Sequence, residues 1–429
     1  MLPEGLYTKF LSCRTVCTDT RNIIPGSIFF ALKGANFDGN SYAVQALEEG
    51  CIAAVVDDSS LEKYDSLFLV DDVLTCMQEL AHKYRESFNF PVLGITGSNG
   101  KTTSKELIRD VLKMSFKVHA TKGNLNNHIG VPLTLLSIPE DCNFAIIEMG
   151  ANHQLEIRDL SNICDPDFGF ITNIGKAHLE GFGGPEGVKK GKKELFDHIK
   201  NKDGLVFVNS SIPHLTEISE GITQILFGSE SDDQFFSIQT ADPTLTVKWH
   251  RKGKPELIIE TQLAGAYNLS NIASAVVIGN YFKVSEDKIQ EALEAYSPDN
   301  NRSQWIKTES NRIIMDAYNA NPSSMTEAIK NLKIVGKESA IAILGDMKEM
   351  GQHANEEHLK LIQELAQLKL EAILIGNDFS KVYANQPCMK CFQNLEEAKE
   401  HIRKHPLKSR TILLKGSRSM QLEGLKELL

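Results

Sequence analysis

The residues best suited to chemistry stand in PVLGITGSNGKTTSKE, Pro91 to Glu106. Gly97, Ser98, Asn99 and Gly100 lead into Lys101, Thr102 and Thr103. A glycine loop that opens a helix aims several backbone N–H groups at one point, at the positive end of the helix dipole, which suits a polyphosphate. Lys101 is placed to reach the terminal phosphates, and the Thr102 hydroxyl to ligand a magnesium ion. The strict pattern of such loops wants glycine five residues before Gly100, where Ile95 stands. Gly94 and Gly97 flank that position, so TGSNGKTT is a variant loop. A glycine turn with no ligand is the plainer alternative, and the GKTT run behind an apolar strand argues against it.

Other polar candidates follow apolar runs, where the ligands of open α/β sheets sit. Glu148 ends NFAIIEM and could hold magnesium or its water, or could be an acid favoured by a helix N-terminus. His178 follows FGFITNIGKA; taken alone a histidine is more often structural, yet this one shares a predicted face with Glu148 and Lys101. Asp316, Asn319 and Asn321 follow RIIM in DAYNANPSSM, where Asp316 suits ribose hydroxyls and Asn-Ala-Asn-Pro could equally be a cap and turn. LGDMKEMG and LLKGSRS put Asp346, Lys415 and Ser417 at further strand ends. Lys192, in KKGKKELF, is either one lysine of a solvated helix face or a lysine carried into the metal site while its neighbours face water.

Three α/β units are needed to position these groups. A chain of 429 residues predicts about three domains of ordinary size. Residues 1–88 form the first, with a strand at Ser27 to Leu32, an Asn/Asp-rich loop between Gly34 and Gly39, a helix at Ser41 to Glu49 and a buried strand in CIAAVVDD. That loop reads equally as turn chemistry or ligand binding. Residues 89–297 carry the phosphate loop, then apolar runs in FKVHAT, NFAIIEMGA, FGFITNIG, GLVFVNS and ITQILFG, as in a parallel sheet with crossover helices. FSIQT, LTVKWH and ELIIET predict a small antiparallel addition, and Asn268 to Phe282 and Glu286 to Tyr296 predict helices. Residues 298–429 again alternate: RIIMDAY, a helix from Pro322, SAIAILGDM, a helix at Glu356 to Leu368, LEAILIGN, a helix at Glu396 to Lys404, and TILLKGS.

Composition excludes other classes. A formal charge of −10 with no basic tract argues against nucleic acid as the main partner. No apolar run reaches the length of a membrane span, and MLPEGLYTKF lacks a signal-peptide core, so a cytoplasmic protein is expected. Eight cysteines in so long a chain form no disulfide framework, and Cys388 and Cys391 read as incidental thiols.

TGSNGKTT, ATKGNLNNHIGVPLTLL, IIEMGANH, ITNIGKAHLEGFG, GAYNLSNIASAV, MDAYNANPSSM, ILGDMKEMG and LLKGSRSM together resemble the ATP-dependent Mur ligases of peptidoglycan synthesis, in order across all three units. TDTR with the DGN loop, IIEMGANH, DAYNANPSSM and LGDMKEMG look like the branch that joins D-alanyl-D-alanine to UDP-N-acetylmuramoyl-tripeptide (UDP-MurNAc-tripeptide) through an acyl phosphate. The resemblance implies a UDP-MurNAc-binding domain at 1–88, a central P-loop mononucleotide-binding parallel sheet at 89–297 and a C-terminal Rossmann-like α/β ligase domain at 298–429. It implies ATP and two Mg2+ ions, held through Thr102, Glu148 and His178, with a carbamylated Lys192 at the second because KKELF matches the family's K-x-E-[IL]-F. Catalysis would rest on Lys101, Lys192, His178 and Glu148. Asn268, Arg302, Asp316, Asn319 and Asn321 are implied to contact ATP with the phosphate loop, Thr18, Asp19, Thr20 and Arg21 the uridine nucleotide, and Asn126 and Asn127 the muramoyl peptide. A monomer is expected.

The chain departs from the family's pattern at Gln154-Leu155, where a glycine usually precedes Glu-Ile, and around Arg302, whose NNRSQW setting is unusual. The competing readings are a sister ligase adding one amino acid or polymerising glutamate onto a folate, a P-loop transporter, GTPase or kinase, and a scaffold that binds nucleotide without chemistry. DAYNANPSSM argues against the sisters, the third unit and the missing NKxD against the P-loop classes, and the set Lys101, Thr102, Glu148, His178 and Lys192 against the scaffold.

Overall fold

The computed structural model describes residues 2–61, 66–298 and 302–429, apart from the side chain of Pro213. The first unit is built on four parallel strands in the order Val16–Cys17, Ile28–Phe30, Ala53–Val56, Leu67–Leu69. Its inner strands read IFF and AAVV and are buried on both faces, as parallel strands must be. Ile28, Phe30 and Val55 meet Leu80 and Tyr84 of the helix Val73–Arg85, while Phe29, Ala54 and Val56 face Ala43 and Ala46. The expected helix from Ser41 is a 3-10 turn, Gly39–Tyr42, continued by the helix Ala43–Glu48. The glycine-bracketed loop is a small hairpin in which Lys33–Gly34 pairs with Phe37–Asp38. Buried Asn40 pins it, donating to Asp38 Oδ1 (2.8 Å) and Asp57 Oδ1 (2.7 Å) and accepting from Asp57 N (3.1 Å).

The central sheet is six-stranded and wholly parallel, in the order Thr223–Phe227, Leu205–Asn209, Phe168–Ile171, Val92–Thr96, Phe144–Glu148, Val118–Ala120. The chain leaves Val92–Thr96 toward one edge, returns through Phe144–Glu148, and then crosses to the other side at Phe168–Ile171. The carboxyl end of Val92–Thr96 is therefore the switch point where such sheets open a ligand crevice. The helix Lys101–Lys113 follows it and packs against Leu269–Tyr281, a helix apolar on nearly every side and buried along most of its length. The expected antiparallel addition is present as Gln234–Thr240, Thr246–Arg251 and Leu257–Glu260.

The third unit is a six-stranded sheet in the order Gln304–Lys307, Arg312–Met315, Thr411–Lys415, Ala340–Gly345, Glu371–Ile375, Met389–Phe392. Only its first strand is antiparallel. The two edge strands, QWIK and MKCF, are not evident from the sequence, because short edge strands carry polar residues and no continuous apolar run. The second contains Cys391, and all eight cysteines are free. Among the described residues no helix is long and apolar enough to cross a membrane. The join read at 297/298 abuts residues 299–301, which lie outside the described residues.

Candidate active site

At the crevice, Gly97 (φ +144°) lets the loop pass against Thr172: a Cβ there would stand 2.0 Å from Thr172 Oγ1. The loop is then strapped to the next strand's exit. Ser98 N donates to Asn173 O (3.0 Å) and Asn99 N to Asn173 Oδ1 (3.0 Å), while Thr172 Oγ1 donates to Asn99 O (2.6 Å). Gly100 (φ +77°) turns the chain into the helix against Asn271, leaving no room for a side chain. The first-turn N–H groups of that helix have no carbonyl of their own and face the cleft.

Lys101 Nζ folds back onto Gly97 O (2.5 Å) and Ser98 O (3.4 Å). Burial pushes its ammonium down to about 8, against the pull of Glu148 and with a push from Arg302. Glu148 pairs in register with Ile95, which brings its carboxylate beside the loop. Its Oε1 accepts from Thr102 Oγ1 (3.1 Å) and Asn126 Nδ2 (2.9 Å). Its Oε2 is buried without a hydrogen-bond partner among the described residues, with Lys105 Nζ at 3.5 Å. Lys105, fully buried and bonded to Thr121 O (2.5 Å), escaped the sequence reading, although it lies on the same helix face as Lys101 at i+4.

His178 sits well past the strand that ends at Ile171, in the left-handed region (φ 52°) ahead of the short helix Leu179–Phe182. It is not directly at a strand end as expected, but it lines the same cleft. Its Nδ1 stands 2.5 Å from Glu349 Oε2 of the third unit, and this pairing holds the Glu349 carboxyl below its usual range. Lys192 is not solvated. It is 1% exposed on the helix Pro185–Asn201, its Nζ lies 5.2 Å from the Phe182 ring centroid, and it has no hydrogen-bond partner among the described residues. Burial, and then Lys101, hold its ammonium far below the usual lysine range. Of the neighbouring lysines, Lys190 is exposed and Lys189 and Lys193 are half-buried.

The third unit closes over the loop. Asn321 caps the helix Pro322–Gly336 through Ser324 N (3.0 Å) and donates from Nδ2 to Asn99 Oδ1 (2.7 Å). It is thus both the cap of one reading and a contact to the phosphate loop. Lys176 adds bonds to Ser323 Oγ (3.1 Å) and Glu357 Oε1 (2.8 Å). Asp316 Oδ2 accepts from Lys415 Nζ (2.6 Å), and Asp316 Oδ1 from Ser303 N (3.3 Å). Arg302 stacks on Tyr318, its Cζ 3.7 Å from the ring centroid. Asn268 is buried, donating to Ala264 O and accepting from Asn271 Nδ2, both at 2.7 Å. Asn319 is exposed at the rim.

Together these groups enclose a cleft of 1190 Å³. Ser98 to Thr103, Asn126, Asn127, Glu148, His178, Asn268, Arg302, Asp316, Asn319 and Asn321 all line it. Lys192 stands behind the wall, and Gly97 shapes the loop from outside the lining. Asn127 is engaged as a cap, accepting from Gly130 N at 2.9 Å. Thr18, Asp19, Thr20 and Arg21 are not among the lining residues. They form a half-buried turn in which exposed Arg21 grips Asp19 through Nε and Nη2 (both 2.9 Å), holding the Asp19 carboxyl down at about 2.

Asp346, His358 and Asp378 cluster closely enough for a metal. Asp346 is nevertheless saturated, accepting from Asp378 N, Phe379 N and Lys348 Nζ. His358 Nε2 accepts from Met347 N and Nδ1 meets Ala354 O, so the cluster holds the loop together.

The fold and site define a P-loop α/β protein whose nucleotide cleft is completed by a second α/β unit. Family models match in sequence: the Mur ligase family catalytic domain at residues 13–85, the Mur ligase middle domain at 95–279 and the Mur ligase glutamate ligase domain at 301–418. The UDP-N-acetylmuramoyl-tripeptide–D-alanyl-D-alanine ligase of Bacillus subtilis (strain 168) is 34% identical over 426 residues, covering 95% of this chain and 91% of that one. Among solved structures, MurF from Acinetobacter baumannii is 32% identical with a TM-score of 0.87, covering 96% of this chain and 92% of that chain. MurF ligase from Thermotoga maritima in complex with ADP is 25% identical with a TM-score of 0.88, covering 97% of each. The chain belongs to the Mur ligase family.

Proposed function

We propose that this chain is an ATP-dependent ligase that joins D-alanyl-D-alanine to UDP-MurNAc-tripeptide, giving UDP-MurNAc-pentapeptide, ADP and phosphate. The observation that carries the chemistry is the meeting of Lys101 and Arg302, cations from two different units, over one cleft with Glu148 at its floor. Likeness to MurF along nearly the whole chain carries the choice of substrates. Residues 1–88 would serve the UDP-sugar, 89–297 ATP and 298–429 the closing of the site.

The tripeptide carboxylate attacks the γ-phosphorus and ADP leaves, forming an acyl phosphate. The amine of D-alanyl-D-alanine then attacks the acyl carbon, and phosphate departs from the tetrahedral intermediate as the amide forms. Two anions must approach, so fixed cations are the main requirement. Lys101, released from its own loop carbonyls, reaches the terminal phosphates, and Arg302 braces them from the third unit. Asp316, held by Lys415, faces the ribose. Asn268 and Asn271 order the wall behind Gly100.

The donor set fits magnesium: Thr102 Oγ1, Glu148 with an unpartnered Oε2, and the His178 ring all border the cleft. When bound, the metal screens charge between triphosphate and carboxylate. Lys192 fits carbamylation, because burial without a partner disfavours its charged form and so favours the amine able to add CO2. The carbamate would be an anion able to ligand or brace a second ion. The protein is read as cytoplasmic and monomeric.

The test is phosphate release from ATP measured with each substrate withheld. Release that requires both UDP-MurNAc-tripeptide and D-alanyl-D-alanine is expected. Release that persists without the dipeptide, or that a single amino acid sustains equally, would overturn the assignment.

A further inference from the structure

Arg302 differs from Arg85 and Lys415 in what holds it. Arg85, which also lies near an aromatic ring (Phe88, 5.8 Å), is discharged by Asp167 at 2.9 Å, and Lys415 by Asp316 at 2.6 Å. No carboxylate among the described residues lies within ion-pair distance of Arg302, and its Nε is buried with no hydrogen-bond partner. Its guanidinium carbon instead stands over the Tyr318 ring, 3.7 Å from the centroid. The adjoining backbone is fixed from two sides: Ser303 N donates to Asp316 Oδ1 (3.3 Å), and Ser303 Oγ meets Tyr267 OH of the central unit (2.8 Å). Those bonds place the Arg302 main chain, while the direction of its side chain is left to the stack.

A ring face attracts a guanidinium through its quadrupole but carries no net charge. It orients an arginine without neutralising it and leaves the in-plane N–H donors free. A carboxylate in the same place would take up both charge and donors. Arg302 and Tyr318 line the cleft shared with Lys101. We propose that Tyr318 is a positioning residue whose ring face presents Arg302, which no carboxylate among the described residues discharges, to the polyphosphate of the nucleotide. This rests on reading the cleft as the ATP site. The rival role for the ring, stacking on the nucleobase, separates cleanly, since inorganic tripolyphosphate has no base.

The experiment is calorimetric titration of the whole protein with ADP and with inorganic tripolyphosphate, in the parent, Tyr318→Leu, Tyr318→Phe, Arg302→Ala and the double variant Arg302→Ala/Tyr318→Leu. Loss of one stack of this kind should weaken both ligands by about 5- to 10-fold in Tyr318→Leu. Tyr318→Phe, which keeps the ring, should restore parent affinity. In the Arg302→Ala background the Leu substitution should add nothing, because the ring acts only through the arginine. Should Tyr318→Leu fail to fold, Tyr318→Met carries the same expectation. Unchanged ADP affinity, weakening of ADP without tripolyphosphate, or additive losses in the double variant would each overturn the proposal. A parent that binds neither probe would overturn the nucleotide reading itself.

Discussion

Asn321 Nδ2 donates to Asn99 Oδ1 at 2.7 Å, so the residue that caps the first helix of the third unit also touches the tip of the phosphate loop. The loop and the unit that closes over it are thereby one device. Ligand contact from the third unit and the start of its helix cannot be altered separately.

Lys101→Ala removes the loop's own cation. Turnover should fall by at least about a hundredfold, the scale of losing one preorganised electrostatic contact. Steady-state rates within a few-fold of the parent would show that the loop does not hold the transferred phosphoryl.

The same lysine makes nucleotide affinity depend on pH. Its ammonium titrates at about 8 in the free protein, and a bound polyphosphate favours the charged form. Affinity for ADP should therefore be flat below that pH and fall by up to about tenfold per unit as pH rises through it. Lys101→Arg, charged throughout, should lose this limb. Calorimetry between neutral and alkaline pH reads both, and a parent profile flat across the range would contradict the assignment.

Asp316→Ala should raise the KM for ATP, because it removes the carboxylate proposed to face the ribose and loosens Lys415. The split matters more than the size. A change confined to kcat, or activity retained by residues 1–297 alone, would refute a site shared between units.

For Lys192, surrounded by protein and unpartnered, Lys192→Ala should cause severe loss, with partial rescue by bicarbonate or short carboxylic acids. Lys190→Ala and Lys193→Ala should be mild, as surface changes usually are. A carbamate carbon resonance in protein equilibrated with labelled bicarbonate should appear in the parent and vanish in Lys192→Ala; its absence from the parent would remove the carbamate.

Leu155, at the family's usual glycine, has φ 73°, is half exposed, and gives its N–H to Glu194 Oε1 at 2.6 Å. The left-handed backbone remains although the glycine is gone, because Glu194 also takes Arg158 N and fixes the helix start. Relief of that strain exceeds the added freedom of the unfolded chain, so Leu155→Gly should stabilise the protein by roughly 0.5–1 kcal/mol. A lower denaturant midpoint in the variant would show the strain to be absent.

The loop TGSNGKTT, the strand ending in Glu148 and the helix start at Pro322 were legible in the sequence because each is a local pattern: an apolar run, then glycine, proline or a cap at fixed spacing. The family resemblance added Arg302, which no local pattern singles out, and chose between the two readings of Lys192. Chain order alone left open whether Lys192 faces water or protein, since one turn of rotation decides it, and only packing against Phe182 settles the matter. Edge strands Gln304–Lys307 and Met389–Phe392 were hidden for a related reason: half their surroundings are solvent, so they need no apolar run. The pairings Glu148 with Lys105, His178 with Glu349 and Arg302 with Tyr318 lie across strands, units or loops. Residue types and short spacings thus determine what chemistry this chain can do. Which charges meet, and which are left undischarged, depends on side chains brought together across the sheets, and that is decided only by the tertiary structure.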